Sequence, residues 1–194
     1  MLWLDESGIP YGSPALVYRT KEEYGCLSNM AAGFELVVGS FRVASSEALY
    51  QALRYPDQPD WQREILAAPT PRRAKMAAKK AGRRFHSRPD WNELQVPVMR
   101  WVLALKLRQH PLALGTLMST GARPIVERSR RDDFWGAVLD GPEVLRSTNQ
   151  LGRQLMTLRD GVALGYSLLE LAALPAPGSM RLCDHLLSTV SSWA

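Results

Sequence analysis

Two carboxylates stand where the formation of a core does not require them. Glu47, in Ser45-Ser-Glu47, falls just inside the start of a helical pattern, where free backbone amides and the helix dipole stabilise negative charge. Tyr50, Gln51 and Arg54 follow it by one turn or two, so that Glu47, Gln51 and Arg54 share a helix face. Asp132, in Arg131-Asp-Asp-Phe-Trp-Gly136, stands with Asp133 beside Trp135 in a loop closed by Gly136, and the chain then runs through Ser147-Thr-Asn149 into a second helix. Two carboxylates placed by separate elements suit cleavage of a glycosidic bond, which needs positive charge on the sugar ring stabilised and a water activated. An aromatic such as Trp135 would stack on a flat heterocycle, and the arginine surplus suits a phosphate.

Plainer readings of the same residues stay open. Glu47 can be a helix cap, and the Glu47–Gln51–Arg54 stripe a solvated face. Asn29, at the end of Tyr24-Gly-Cys-Leu-Ser28-Asn29, either offers its amide to a base or ribose hydroxyl or closes an Asx turn. Asp132 and Asp133 can be balanced by Arg130 and Arg131, with Glu127 near by, and Trp91 and Trp101 fall in an apolar pattern that reads as core. The three histidines have no spacing suited to a metal or a triad, neither glycine-rich phosphate loop occurs, and nothing supports a nucleophilic Ser or Cys. Neither a metal nor a cofactor is expected.

The elements that must position these groups follow from periodicity. Ala15–Tyr18 and the alternating Phe34–Val43, with a turn at Gly39-Ser40, read as strands. From Ser45 the period becomes helical, capped by Ser45 or Ser46 and ending before Pro56. Further helices are expected from Asp60 to about 67, from Thr70-Pro71 to Gly82, over 91–109 with Asp90 as cap, over 112–118, and over 149–159. Arg123–Glu127 reads as a strand, and a terminal helix is expected after Pro175-Ala-Pro-Gly178. The fold class is α+β: a helix-rich single domain over residues 1–194 with a small antiparallel sheet near the N-terminus.

With 194 residues and a net charge of +5, the chain is large enough for one ordinary core, and its basic excess suits an anionic ligand or a plain solvated surface. No apolar run approaches the roughly 18 residues that span a bilayer, so no membrane partner is expected. The opening MLWLDESGIP does not read as a signal peptide, and two distant cysteines make no disulfide framework, which points to a reduced, cytoplasmic protein.

Taken in order, these segments resemble the NADAR family, also called YbiA-like. Tyr24-Gly-Cys-Leu-Ser-Asn29 looks like its aromatic-Gly-x-(Leu/Phe)-Ser-Asn element, and Ser46-Glu47-Ala-Leu-Tyr-Gln-Ala52 like its Ser-Glu-His-x-(Tyr/Phe)-Gln-Ala helix. Ala68-Pro-Thr-Pro71 through Gly82-Arg83, Arg88-Pro-Asp-Trp91 with Val98-Met99, Asp132-x-x-Trp135-Gly136, and Asn149-x-Leu-Gly152-x-x-Leu-Met156-x-x-Arg159 continue it, over roughly residues 15–160. Residues 165–194 then form a helical extension outside the resemblance. The resemblance implies an N-glycosidase acting on aminopyrimidine ribosyl phosphates of riboflavin biosynthesis. Its alternatives are removal of ADP-ribose from guanine bases, with a nucleic acid as substrate, and a divergent, non-catalytic module that binds ADP-ribose or a nucleotide. It puts Glu47, Asp132 and Arg54 in catalytic positions and Ser28, Asn29, Tyr50, Gln51, Trp91, Trp135, Gly136 and Asn149 against substrate. Two departures stand out. Arg54 replaces a family lysine whose amine could form a Schiff base, which an always-protonated guanidinium cannot. Ala137-Val138 follow Gly136 where a glycine or an acid is common, making that loop stiffer and more apolar.

Overall fold

Residues 1–5, 7–175 and 179–187 are described by a computed structural model. Three short strands, β1 (Leu2–Leu4), β2 (Pro10–Gly12) and β3 (Ala15–Val17), precede a 3-10 turn at Gly25–Leu27 and the pair β4 (Leu36–Val38) and β5 (Phe41–Val43). Five helices follow: α1 (Ser46–Ala52), α2 (Pro59–Leu66), α3 (Pro71–Ala81), α4 (Trp91–Gln109) and α5 (Pro111–Ser119). The rest comprises β6 (Ile125–Glu127), β7 (Val138–Leu139), β8 (Val144–Arg146), α6 (Gln150–Ala163), α7 (Leu168–Leu171) and the pair β9 (Arg181–Leu182) and β10 (His185–Leu186). The fold is helix-rich α+β, and it divides into two compact units. The first is formed by residues 1–28 and 111–167, the second by residues 29–110 and those from 168 onward.

In the second unit α1 is the hub, packed on α2, α3 and α4. The Ser45 hydroxyl caps it by accepting from the Ala48 amide at 3.2 Å, and every residue from Ser46 to Ala52 is buried. Burying a helix all round takes its polar side chains out of water as well, so Ser46, Glu47 and Gln51 must find partners inside the protein. The expected hairpin is β4–β5, with Val38 opposite Phe41 and Gly39 in the left-handed region at φ +57°. Thr70 caps α3 through the Arg73 amide, with Pro71 in the first turn. The stretch from Trp101 to Leu105 in α4 is fully enclosed, the mark of a helix that runs through a core rather than over it.

Some boundaries differ from those expected, each for a local reason. Helix α2 starts at Pro59 rather than Asp60, because a proline without an N–H fits the first helical position. Asp90 stands before α4, but its side chain does not cap that helix. The buried Arg88 takes the carboxylate instead, through Nε at 2.6 Å and Nη2 at 3.0 Å. Helix α6 runs to Ala163, beyond the expected end at 159. Where a terminal helix was expected, residues 181–186 form a hairpin whose turn residues, Cys183 and Asp184, both have positive φ (49° and 72°). Residues 188–194 lie outside the described residues. Gln62 of α2 secures this hairpin: its Nε2 donates to the carbonyls of Ala52 and Arg181, and its Oε1 accepts from the Cys183 amide at 2.6 Å.

The first unit holds the two expected strands, β3 and β6, beside others that no local pattern announces. β1 pairs antiparallel with β2 and parallel with β8, which pairs with β7, and β3 pairs parallel with β6. Trp3 is buried in this unit with Val126, Ala137 and Leu145, and Leu16 and Met156 cover the cluster. Helix α6 packs on β6.

The Arg88–Asp90 pair makes a pH prediction. The guanidinium beside Asp90 holds its carboxyl below the usual carboxylate range, chiefly by hydrogen bonding. A folded pKa below the unfolded value contributes stability above about pH 4, and that contribution fades as pH falls through the folded value. The Asp90 side chain is 43% exposed, so the effect is small. Asp90→Asn is expected to flatten the acid limb of a melting-temperature profile taken between about pH 2 and pH 6; an unchanged slope would refute the assignment.

Candidate active site

The second unit holds Glu47 in a chain of side chains. Glu47 is 4% exposed. Its Oε2 accepts from Asn29 Nδ2 at 2.6 Å and its Oε1 from Gln51 Nε2 at 2.9 Å, the latter one helical turn along α1. Gln51 Oε1 in turn accepts from Arg54 Nη1 at 3.0 Å, and Arg54 Nη2 reaches Ser87 Oγ at 3.2 Å. Both carboxylate oxygens are therefore held by neutral amides, and the guanidinium meets the carboxylate only through Gln51. The Arg54 guanidinium lies 5.6 Å from the Trp91 ring centre and 5.7 Å from that of Tyr55. Trp91 packs against Tyr50 at 5.1 Å and 52°, and both rings are buried, as their apolar context suggested for Trp91. Asn29 Oδ1, Ser46 Oγ and Arg54 Nε are buried without a hydrogen-bond partner among the described residues. Three such atoms, on Asn29 beside Glu47 and on two residues in or just past α1, are unusual in a native core. Beside Ser87 opens a cleft of about 390 Å³ whose wall includes Arg84, His86 and Arg88.

The first unit holds the other predicted residues. Ser129 Oγ accepts from the Asp132 amide at 2.9 Å, and Asp132 Oδ1 accepts from the amides of Phe134 at 3.2 Å and Trp135 at 2.8 Å. Asp132 thus closes an Asx turn, and it forms no ion pair with Arg130 or Arg131 among the described residues. The carbonyls of Asp133, Phe134 and Trp135 accept from the amides of Thr148, Gln150 and Leu151. Those amides, at the start of α6, would otherwise be orphaned. With the loop capping the helix, Asn149 is free for another task. It is fully buried in the left-handed conformation (φ 48°, ψ 49°) and makes no side-chain cap bond. Its Nδ2 donates to the Ile125 carbonyl at 2.9 Å, and its Oδ1 accepts from the Glu127 amide at 3.1 Å. Gly136 is required because a Cβ there would meet the Glu127 carbonyl at 2.8 Å. Trp135 is half-buried, edge-on to the exposed Phe134 at 5.1 Å.

Glu127 is the acid that sequence reasoning treats only as a neighbour of Asp132. It stands at the end of β6 and accepts from Ser28 Oγ at 3.2 Å. Its nearest signal is the strand pattern that ends on it; Ser28 lies 99 residues away. Next to it, Arg128 lies 4.5 Å from the centre of the Tyr18 ring and Arg19 lies 5.7 Å away. A hydrogen bond from Arg130 holds the pKa of the Tyr18 hydroxyl below the usual phenol range. Among the described residues no group of three or more His, Cys, Asp or Glu is placed to hold a metal, and no helix is long and apolar enough to cross a membrane.

A helix-rich α+β protein with a buried carboxylate held by two amides defines the class, and comparison with known proteins narrows it. The NADAR domain model matches residues 16–163, and the chain belongs to the NADAR family. The N-glycosidase YbiA of Escherichia coli (strain K12) is 32% identical over 150 residues, which cover 76% of this chain and 87% of that protein. A riboflavin biosynthesis protein of Vibrio vulnificus is 32% identical over 151 residues, covering 76% of this chain and 38% of that longer protein. An N-glycosidase of Nostoc punctiforme is 29% identical over 147 residues, covering 75% and 90%. The NMR structure of the E. coli protein YbiA superposes with a TM-score of 0.65 at 30% identity, covering 81% of this chain and 89% of that one.

Proposed function

We propose that this protein hydrolyses the N-glycosidic bond between a ribose phosphate and an aminopyrimidine or guanine-type base, and that it does so in the cytoplasm. The observation that carries the reading is Glu47: an ionisable group nearly closed to solvent, with each oxygen held by an amide, on the helix that matches the family's Ser-Glu motif. Relatives named N-glycosidases support it.

Glu47 serves as the base. It takes a proton from water as the oxygen bonds to the anomeric carbon, and the electron pair of the breaking C–N bond leaves with the heterocycle. Asn29 and Gln51 fix the carboxylate's orientation, which is where the two amide bonds act. Arg54 supplies fixed positive charge for a phosphate, tied by Gln51 and Ser87 and flanked by Trp91. Because a guanidinium forms no Schiff base, the route assigned to this chain is direct attack by water. Tyr50 and Trp91 position α1 by their ring contact. Within the first unit, Asp132 sets through its Asx turn the backbone that holds Trp135, and Gly136, Asn149 and Ser28 shape the same unit.

The basic balance of the chain favours ADP-ribosylated guanine as a second substrate. Two assays separate the readings: release of ribose 5-phosphate from an aminopyrimidine ribosyl phosphate, and release of ADP-ribose from an ADP-ribosylated guanine oligonucleotide. Turnover of the first supports the proposal. Turnover of the second alone moves the chain to the alternative, and turnover of neither overturns the glycosidase reading.

A further inference from the structure

The most one-sided surface of the second unit is α3 with the turn that follows it. Between Pro71 and Arg84 stand seven cations, Arg72, Arg73, Lys75, Lys79, Lys80, Arg83 and Arg84, and no acid, and all seven are exposed. The whole chain carries a net charge of +5, so these seven exceed its entire excess and the remainder is net acidic. Arg72, Arg73, Lys75, Lys79 and Arg83 form no salt bridge among the described residues, while Lys80 meets Glu64 at 3.5 Å. Lys80 and Arg84 lie over the Trp61 ring at 5.0 and 5.9 Å, and Phe85 packs beside it at 5.8 Å.

Like charges four residues apart, as in Lys75, Lys79 and Arg83, oppose helix formation, and a surface built only for solubility mixes both signs. Neither protein nor membrane suits this face. The cores of protein interfaces are depleted in lysine. Membrane insertion needs an apolar stripe, whereas Ala74, Ala78 and Ala81 are buried and Met76 is the large exposed apolar side chain on the helix. A row of unpaired cations instead matches a row of phosphates. At about 1.5 Å per residue the helix is roughly 16 Å long, the span of about five phosphates at about 3.4 Å along one strand.

We propose that α3 and the turn through Arg84 form a docking surface for the sugar–phosphate backbone of nucleic acid, held by charge without reading base sequence. The proposal is independent of the glycosidase reading. The test is fluorescence anisotropy with a labelled DNA of about 20 nucleotides, as single strand and as duplex, between about 50 and 200 mM salt. Binding is expected to weaken over that range by about two orders of magnitude for the single strand and nearly three for the duplex, as counterion release from about five phosphates requires. The triple variant Lys75→Glu/Lys79→Glu/Arg83→Glu is expected to bind more than about tenfold more weakly with an unchanged circular-dichroism melt. Should it not fold, the pair Arg72→Glu/Arg73→Glu gives the same readout from the first turn. Absence of binding at the lower salt, binding that folded variants leave intact, or binding to phosphatidylserine vesicles without binding to DNA would each overturn the proposal.

Discussion

Glu47→Gln is expected to lower kcat for ribosyl phosphate hydrolysis by about 10²- to 10⁴-fold while leaving the fold intact. The substitution keeps size and shape and removes only the capacity to accept a proton. It also replaces one of the two acceptor oxygens by an NH₂ group, which then faces a donor, Asn29 Nδ2 or Gln51 Nε2 according to its orientation. Asn29 can resolve the conflict on its side: its Oδ1 is buried without a partner, and turning the amide over offers that oxygen to the new NH₂. Stability should therefore change little. Glu47→Ala differs, because it leaves both amides without their acceptor, at about 1–3 kcal/mol for each buried donor. The measurement pairs kcat with the urea midpoint for both variants. A Glu47→Gln protein within about threefold of wild-type kcat would remove Glu47 from the chemistry and leave it a structural residue.

How much of this was legible depends on how far the partners lie along the chain. The hairpin at Leu36–Val43, the Ser45 cap of α1 and the Thr70-Pro71 start of α3 are read correctly because a few neighbouring residues determine each. In the first unit β3 and β6 are read as strands, but β1 and β8 are not: they are three residues long and pair in parallel, Leu2 with Val144, so neither alternation nor a turn marks them. Among site residues, the Glu47–Gln51–Arg54 stripe is a consequence of helical spacing and could be written down in advance. The Asn29 contact to Glu47 could not, since motif order places both residues and says nothing of their approach. Asp132 was legible as a residue that needs partners, and the partners are the backbone amides of its own loop rather than arginines. Asp90 shows the limit of local rules. A good N-cap residue in the right place is drawn away by a buried arginine two residues earlier.

Gly152→Ala is expected to destabilise the first unit by about 3–5 kcal/mol, while Gly115→Ala stabilises it by about 0.5–1 kcal/mol, from one and the same added methyl. Both glycines lie within helices, α6 and α5, where alanine is the better helix former. What differs is the space around them. A Cβ on Gly115 meets nothing within 4 Å, so only the helix preference acts. A Cβ on Gly152 would stand 2.1 Å from the Ile125 carbonyl oxygen and 2.5 Å from Asn149 Nδ2. Neither can yield: the carbonyl belongs to β6, and the Asn149 amide is fixed on that strand by its bonds to Ile125 and Glu127. Helix α6 must then lift from β6, and both buried bonds go with it, at about 1–3 kcal/mol each beyond the crowding. Asn149→Ala should approach the same loss by another route, forfeiting those bonds and leaving a Cβ residue in the left-handed region at a cost of about 1–2 kcal/mol. Urea midpoints of the three variants test the argument. If Gly152→Ala and Gly115→Ala shift the midpoint in the same direction, the close approach of α6 to β6 is not what holds Asn149 in place.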